Sequence, residues 1–304
     1  MKLRDQLRGV VGFPITPFKK NLSVDYAGLE KNVAAMTQHK FCSMVAAGGT
    51  GELYSLTAKE AIEVVRVTKK NTKLPVIGGV GFNVAIGVEM AKGMEKAGAD
   101  ALLVLPPYYA SSPVNGLFDY YAAIGQATKL PLAIYSRDWA VFSPQMVAQL
   151  CDRVPTLEIW KDGQGNGRAY ERIIAYNGDR LAWVGGLGDD CFPTYVSVGV
   201  QAFTSSISNV APKLAVELAK VGGLMPGAKG GPDFSKITPL MRKYVHPLYA
   251  LREKVRGYEV SVMKTFMDRV GLAGGPVRPP LEATRPEHLA EVDKLVALYG
   301  SWCK

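Results

Sequence analysis

Between Gly9 and about Lys220, short apolar, β-rich runs alternate with longer amphipathic stretches, and the alternation repeats eight times. A strand that pairs in parallel with the next one needs a long crossover, and a helix is the usual way to supply it. Eight strand-helix repeats in roughly 200 residues is the arithmetic of a closed α/β barrel, the (β/α)8 TIM barrel. The strands are expected at 10–14, 44–47, 75–79, 101–105, 132–135, 157–161, 181–184 and 202–206. A Gly- and Pro-rich stretch, 222–232, reads as a loop or hinge. The expected organisation is therefore a barrel over 1–221 and a C-terminal helical extension over 222–304, packed on the barrel as one structural unit. Helical periodicity in the extension covers 237–254, 259–270 and 286–299.

Several helices announce where they begin. Thr57-Ala58-Lys59-Glu60 has capping-box spacing, after which Ala61, Val64, Val65 and Thr68 share one face. Ser143-Pro144 places an N-cap before a proline at the first helical position, with Met146, Val147 and Leu150 as the buried stripe. Thr284-Arg285-Pro286-Glu287 repeats the capping-box spacing. A doubly wound open sheet uses the same βα units and stays open as the alternative architecture; the count of eight favours the barrel.

The charge balance of 36 Lys and Arg against 27 Asp and Glu leaves a formal +9. The basic residues are dispersed and no aromatic residues interleave with them, so a nucleic-acid platform is not indicated. The excess can draw in an anionic substrate. Apolar runs fall short of the roughly 18 residues of a bilayer span. The stretch from Met1 to Arg8 lacks the pattern of a secretory signal, so a cytoplasmic protein is expected. Cys42, Cys151, Cys191 and Cys303 form no Cys-x-x-Cys pair and read as buried free thiols. His39, His246 and His288 are scattered, which suggests neither a metal cluster nor a histidine triad.

In a barrel of this kind, chemistry gathers where the strands end. Lys161 has the parity of Leu157 and Ile159, so it points inward at the mouth if those residues fill the barrel. Desolvation there would lower its pKa and supply a neutral amine that attacks a ketone. A buried ion pair, or an ammonium reaching the rim, fits the position equally well. Tyr135 has the parity of Ala133 on the preceding strand, and its phenol can shuttle protons or simply meet a carbonyl. Gly48-Gly49-Thr50-Gly51 offers backbone N–H groups and a hydroxyl to a carboxylate, although glycine-rich strand ends are also common turns. Arg137 can hold a carboxylate through its planar fork or form a surface pair with Asp138.

Gly49-Thr50-Gly51-Glu52, Pro107-Tyr108-Tyr109, Tyr135 and Lys161 at these intervals resemble the dihydrodipicolinate synthase / N-acetylneuraminate lyase superfamily over nearly the whole chain. The resemblance implies a barrel with a helical extension, usually a homotetramer, whose lysine condenses with a 2-keto acid. It casts Lys161 as the imine-forming residue and Tyr135 as the proton shuttle. Thr50 and Gly49 become the site for the carboxylate next to the ketone, and Tyr109 the second tyrosine of a hydroxyl relay across a subunit interface. Thr204 and Ser205 fall on the eighth-strand segment that lines the pocket.

Where the fifth strand ends, those enzymes usually continue Asn-x-Pro after the tyrosine, whereas this chain has Ser136-Arg137-Asp138; the sixth ends Lys161-Asp162-Gly163-Gln164-Gly165. Both variations resemble the 5-dehydro-4-deoxyglucarate dehydratase branch. Its substrate is a dicarboxylic keto sugar acid, with Arg137 a partner for the distal carboxylate, and the lysine leaves no role for a metal or an organic cofactor. A pyruvate-dependent aldolase or synthase and a non-catalytic sugar-acid sensor are the competing expectations.

Overall fold

A computed structural model of the protein describes residues 2–108 and 111–303. Eight parallel strands close into a barrel in chain order, with the first pairing the last. They are β1 (Gly9–Gly12), β2 (Phe41–Ala46), β3 (Val76–Val80), β4 (Ala101–Val104), β5 (Leu132–Ser136), β6 (Leu157–Asp162), β7 (Ala182–Gly185) and β8 (Ala202–Ser205). Closure rules out the open sheet, and each expected strand lies within a few residues of an observed one. The strands read as nearly continuous apolar runs because both faces are buried, one in the barrel and one under helices.

A short α1 (Leu3–Gln6) precedes β1, with Arg4 donating to the Arg180 carbonyl at 2.7 Å just ahead of β7, and the outer layer runs through α2 (Tyr26–Met36), α3 (Ala58–Lys70), α4 (Val84–Lys96) and α5 (Val114–Gln126). It is completed by α6 (Pro144–Arg153), α7 (Gly167–Asn177), α8 (Phe192–Ser197) and α9 (Pro212–Val221). Thr57 forms the capping box with Glu60, and Ser143 caps α6 ahead of Pro144. Successive side chains along β6 take opposite faces of the sheet: Trp160 goes outward against Phe142, its ring edge-on at 5.0 Å, so Lys161 goes inward.

The extension comprises α10 (Phe234–Leu240), α11 (His246–Arg252), α12 (Tyr258–Arg269) and α13 (Pro286–Tyr299). The expected single helix over 237–254 is interrupted by a π-helical turn at Met241–Val245, between Pro239 and Pro247. Each proline removes a helical N–H, and a wider turn accommodates the break. The capping box expected at Thr284 does not form. That side chain is buried and shares a hydrogen bond of 2.9 Å with the Thr265 hydroxyl, while α13 starts from an uncapped Arg285.

The segment 222–232 follows α9 and returns to the rim opposite the mouth. There Met225 lies 3.2 Å from where a Cβ on Gly9, at the start of β1, would sit. This placement separates the loop from the strand ends that carry the candidate chemistry. The chain then climbs back through α10 and α11, which brings Tyr249 and Arg252 to the mouth.

Candidate active site

The carboxyl ends of the strands surround a cleft of about 640 Å³, with a narrower cavity of about 70 Å³ beneath it. Lys161 lines the inner cavity and is 4% exposed. Its Nζ donates to the Gly186 carbonyl at 2.6 Å and lies 3.2 Å from the centre of the Tyr135 ring. Burial, reinforced by the positive charge of Arg137, holds the amine well below the ordinary lysine range; Asp162 opposes the shift. No ion pair involves Lys161 among the described residues, so desolvation is not offset by a carboxylate at its nitrogen. The lysine is enclosed at the mouth, with a backbone carbonyl and a phenol ring as the neighbours of its nitrogen.

Tyr135 stands beside Lys161 because β5 and β6 pair those two positions. Its hydroxyl donates to the same Gly186 oxygen at 3.2 Å, which draws the phenol and the amine to one point. Burial pushes the phenol up to about 12, so it remains a protonated donor near neutral pH. Gly186 has a steric reason to lack a side chain, since a Cβ there would come within 2.6 Å of Lys161 Nζ. Asp162, on the outward face, accepts from the Tyr195 hydroxyl at 3.0 Å and from the Gly165 N–H at 2.9 Å, which ties the end of β6 to α8.

The loop after β2 turns sharply. Ala47 and Glu52 both have left-handed backbone, φ 52° and 58°, and bracket the glycine-rich segment between them. Gly79 on β3 permits the turn, because a Cβ there would lie 1.9 Å from the Ala47 oxygen. Gly49 and Thr50 are thereby presented to both cavities. Beneath the loop, Glu52 forms an enclosed ion pair with Lys264 of α12 at 2.5 Å, and Lys264 also donates to the Pro276 carbonyl at 2.9 Å.

Thr204 lines the inner cavity. Ser205 is turned away: it is fully buried, and its hydroxyl accepts from the Ser208 N–H at 3.0 Å. The lining serine is Ser206, one residue on, as strand parity requires. Arg137 borders the cleft, pairs with Asp138 at 3.2 Å and reaches the Gly163 carbonyl at 3.4 Å. Tyr109 lies outside the described residues, while its neighbour Tyr108 lines the cleft.

Tyr249 and Arg252 were not among the sequence candidates. Both come from the extension, and periodicity marked their helix without indicating where it docks. Among the described residues no cluster of His, Cys, Asp and Glu is arranged for a metal, and no helix is long and apolar enough to cross a membrane. The four cysteines are free and half-buried rather than fully buried.

The fold and site define a (β/α)8 barrel with a buried lysine, its pKa lowered by desolvation, at the mouth. The chain belongs to the dihydrodipicolinate synthetase family, whose model matches residues 6–298. Similar relatives include the probable 5-dehydro-4-deoxyglucarate dehydratase of Bradyrhizobium diazoefficiens, 36% identical over 95% of this chain and 91% of that protein. The protein of the same name from Rhodococcus opacus is 37% identical over 95% and 94%. Among solved structures, dihydrodipicolinate synthase from Bacillus clausii superposes with a TM-score of 0.88 at 25% identity, covering 99% of each chain.

Proposed function

We propose that the protein is a decarboxylating dehydratase that converts 5-dehydro-4-deoxy-D-glucarate to 2,5-dioxopentanoate, CO2 and water through an imine on Lys161. The observation that carries the reading is the unpaired, desolvated Lys161 amine facing the cavity beside the Tyr135 phenol. The names of the relatives supply the substrate.

The neutral Nζ adds to the ketone, and Tyr135 passes protons as the carbinolamine forms and loses water. Thr50 and Gly49 hold the adjacent carboxylate, and Thr204 borders the same space. The iminium withdraws electrons from the neighbouring methylene. Loss of a proton there gives an enamine, which expels the β-hydroxyl as water and leaves a conjugated iminium. The bond to the distal carboxylate then breaks: CO2 departs and its electron pair runs along the chain to the iminium nitrogen. Protonation of the resulting dienamine, tautomerisation of the terminal enol to the aldehyde and hydrolysis of the imine release the product and free Lys161. Atoms balance at one water and one CO2 per substrate.

Arg137 contributes a guanidinium to the distal carboxylate from the β5 side. The assignments of Tyr109 to a relay between subunits and of a homotetramer rest on the family resemblance. Unpaired cysteines suit the reducing cytoplasm. Supplied with the keto acid, the enzyme should release equimolar CO2 and 2,5-dioxopentanoate. Pyruvate with an aldehyde as products would instead make it an aldolase, and absence of turnover would leave a sensor.

A further inference from the structure

We infer that Arg252, from the C-terminal extension, is a specificity-determining residue that binds the distal carboxylate of the substrate from the β7–β8 side of the mouth, opposite Arg137. The inference rests on the proposed keto-acid chemistry and extends it to how a dicarboxylate is told from a monocarboxylate.

Arg252 ends α11 and borders both the cleft and the inner cavity that contains Lys161. A ligand joined to Lys161 and a few carbons long therefore passes within its reach. Its guanidinium is held in place: it stacks 4.4 Å from the centre of the Tyr249 ring, and Nη1 donates to the Ser206 hydroxyl at 2.9 Å. Both supports are anchored on one buried carboxylate. Tyr249 donates to Asp189 Oδ2 at 3.2 Å and accepts from the Asp189 N–H at 2.6 Å. Ser206 donates to the same Oδ2 through its N–H and its hydroxyl, each at 3.0 Å.

The mounting is complete, yet the cation is underused. A guanidinium carries five N–H donors. Among the described residues Arg252 makes the one hydrogen bond to Ser206 and no ion pair, and its Nε–H is enclosed without a partner. Arg137, by contrast, already faces Asp138 at 3.2 Å. A preorganised arginine with donors to spare, beside a cavity, suits a planar carboxylate. The carboxylate next to the ketone is assigned to Thr50 and Gly49, so Arg252 meets the one at the other end of the chain, across from Arg137.

The test uses two six-carbon 2-keto acids that cannot lose a β-hydroxyl, 2-oxoadipate with a distal carboxylate and 2-oxohexanoate with a methyl in its place. Each is titrated into the full-length protein with borohydride, alongside pyruvate, and the mass added to Lys161 is followed. The wild type should trap 2-oxoadipate at about 10- to 100-fold lower concentration than 2-oxohexanoate, the worth of a hydrogen-bonded charge. Arg252→Gln should erase most of that preference and leave pyruvate trapping within about twofold, while Arg252→Lys should restore part of it. A preference undiminished in Arg252→Gln, or one absent from the wild type, overturns the inference. Loss of pyruvate trapping in Arg252→Gln also overturns it, by making the residue structural. A wild type that traps none of the three acids defeats the imine reading itself.

Discussion

Lys161 and Lys264 are both nearly sealed from solvent, at 4% and 1% exposure, and burial lowers the pKa of each. They differ in what faces the nitrogen. Lys264 meets the Glu52 carboxylate at 2.5 Å and the Pro276 carbonyl at 2.9 Å. Lys161 meets the Gly186 carbonyl and the face of a phenol, with no ion pair among the described residues. Attraction to Glu52 opposes the loss of the Lys264 proton, whereas the charge of Arg137 adds to burial at Lys161. One lysine fastens the extension beneath the Thr50 loop; the other lines the inner cavity beside Thr50. The two lysines share burial and differ in whether a carboxylate faces the nitrogen.

The comparison breaks first at Lys161. Lys161→Met should lower kcat on the order of 10⁴-fold or more, as removal of a covalent nucleophile does, and should leave the fold about as stable or about 1 kcal/mol more so. Steady-state kinetics and thermal unfolding of the same preparation read both effects. Lys264→Met should do the reverse. It strands the Glu52 carboxylate, which burial already pushes up, and should cost about 3–5 kcal/mol of stability. The double variant Lys264→Met with Glu52→Gln should recover much of that loss. An additive double variant in denaturant unfolding would contradict the pairing.

Tyr135→Phe keeps the ring under the amine and removes the proton. It should slow turnover by about 10²-fold and leave the fold intact; an unchanged kcat would reduce the phenol to packing. The smallest effect concerns a third contact of the extension, where Arg278 grips Glu60 with Nη2 to Oε1 at 2.6 Å and Nη1 to Oε2 at 2.9 Å. Hydrogen bonds from Arg278 are the main reason the Glu60 carboxyl is held down at about 2, against 4.5 for a free carboxyl. A depressed carboxylate stabilises the fold fully above the unfolded pKa and loses that contribution as pH falls through the folded one. Glu60→Gln should therefore cost about 1 kcal/mol at neutral pH and flatten the loss of stability between roughly pH 4.5 and 2. Unfolding measured across that window checks the sign.

The barrel was legible because periodicity and caps are local. Thr57 and Ser143 fix their helices through residues three places away, and strand parity alone turned Lys161 and Tyr135 inward. The failures have equally definite causes. Thr284 matched a capping box but found a tertiary partner in Thr265. Ser205 and Ser206 are adjacent, and one step of strand parity exchanges the outward face for the cavity. Tyr249 and Arg252 sat on a recognisable helix, yet its docking at the mouth depends on a loop at the opposite rim from which α10 and α11 return. Gly186 is required only because Lys161 packs against it across β7, a contact 25 residues away in the chain.

The most direct test of the central claim is borohydride reduction of the full-length protein with pyruvate near pH 7, followed by peptide mass mapping. A reduced imine on Lys161 and none on Lys264, with no adduct in Lys161→Met, is the predicted result. An adduct on another lysine, or an unmodified Lys161 under saturating pyruvate, would contradict it.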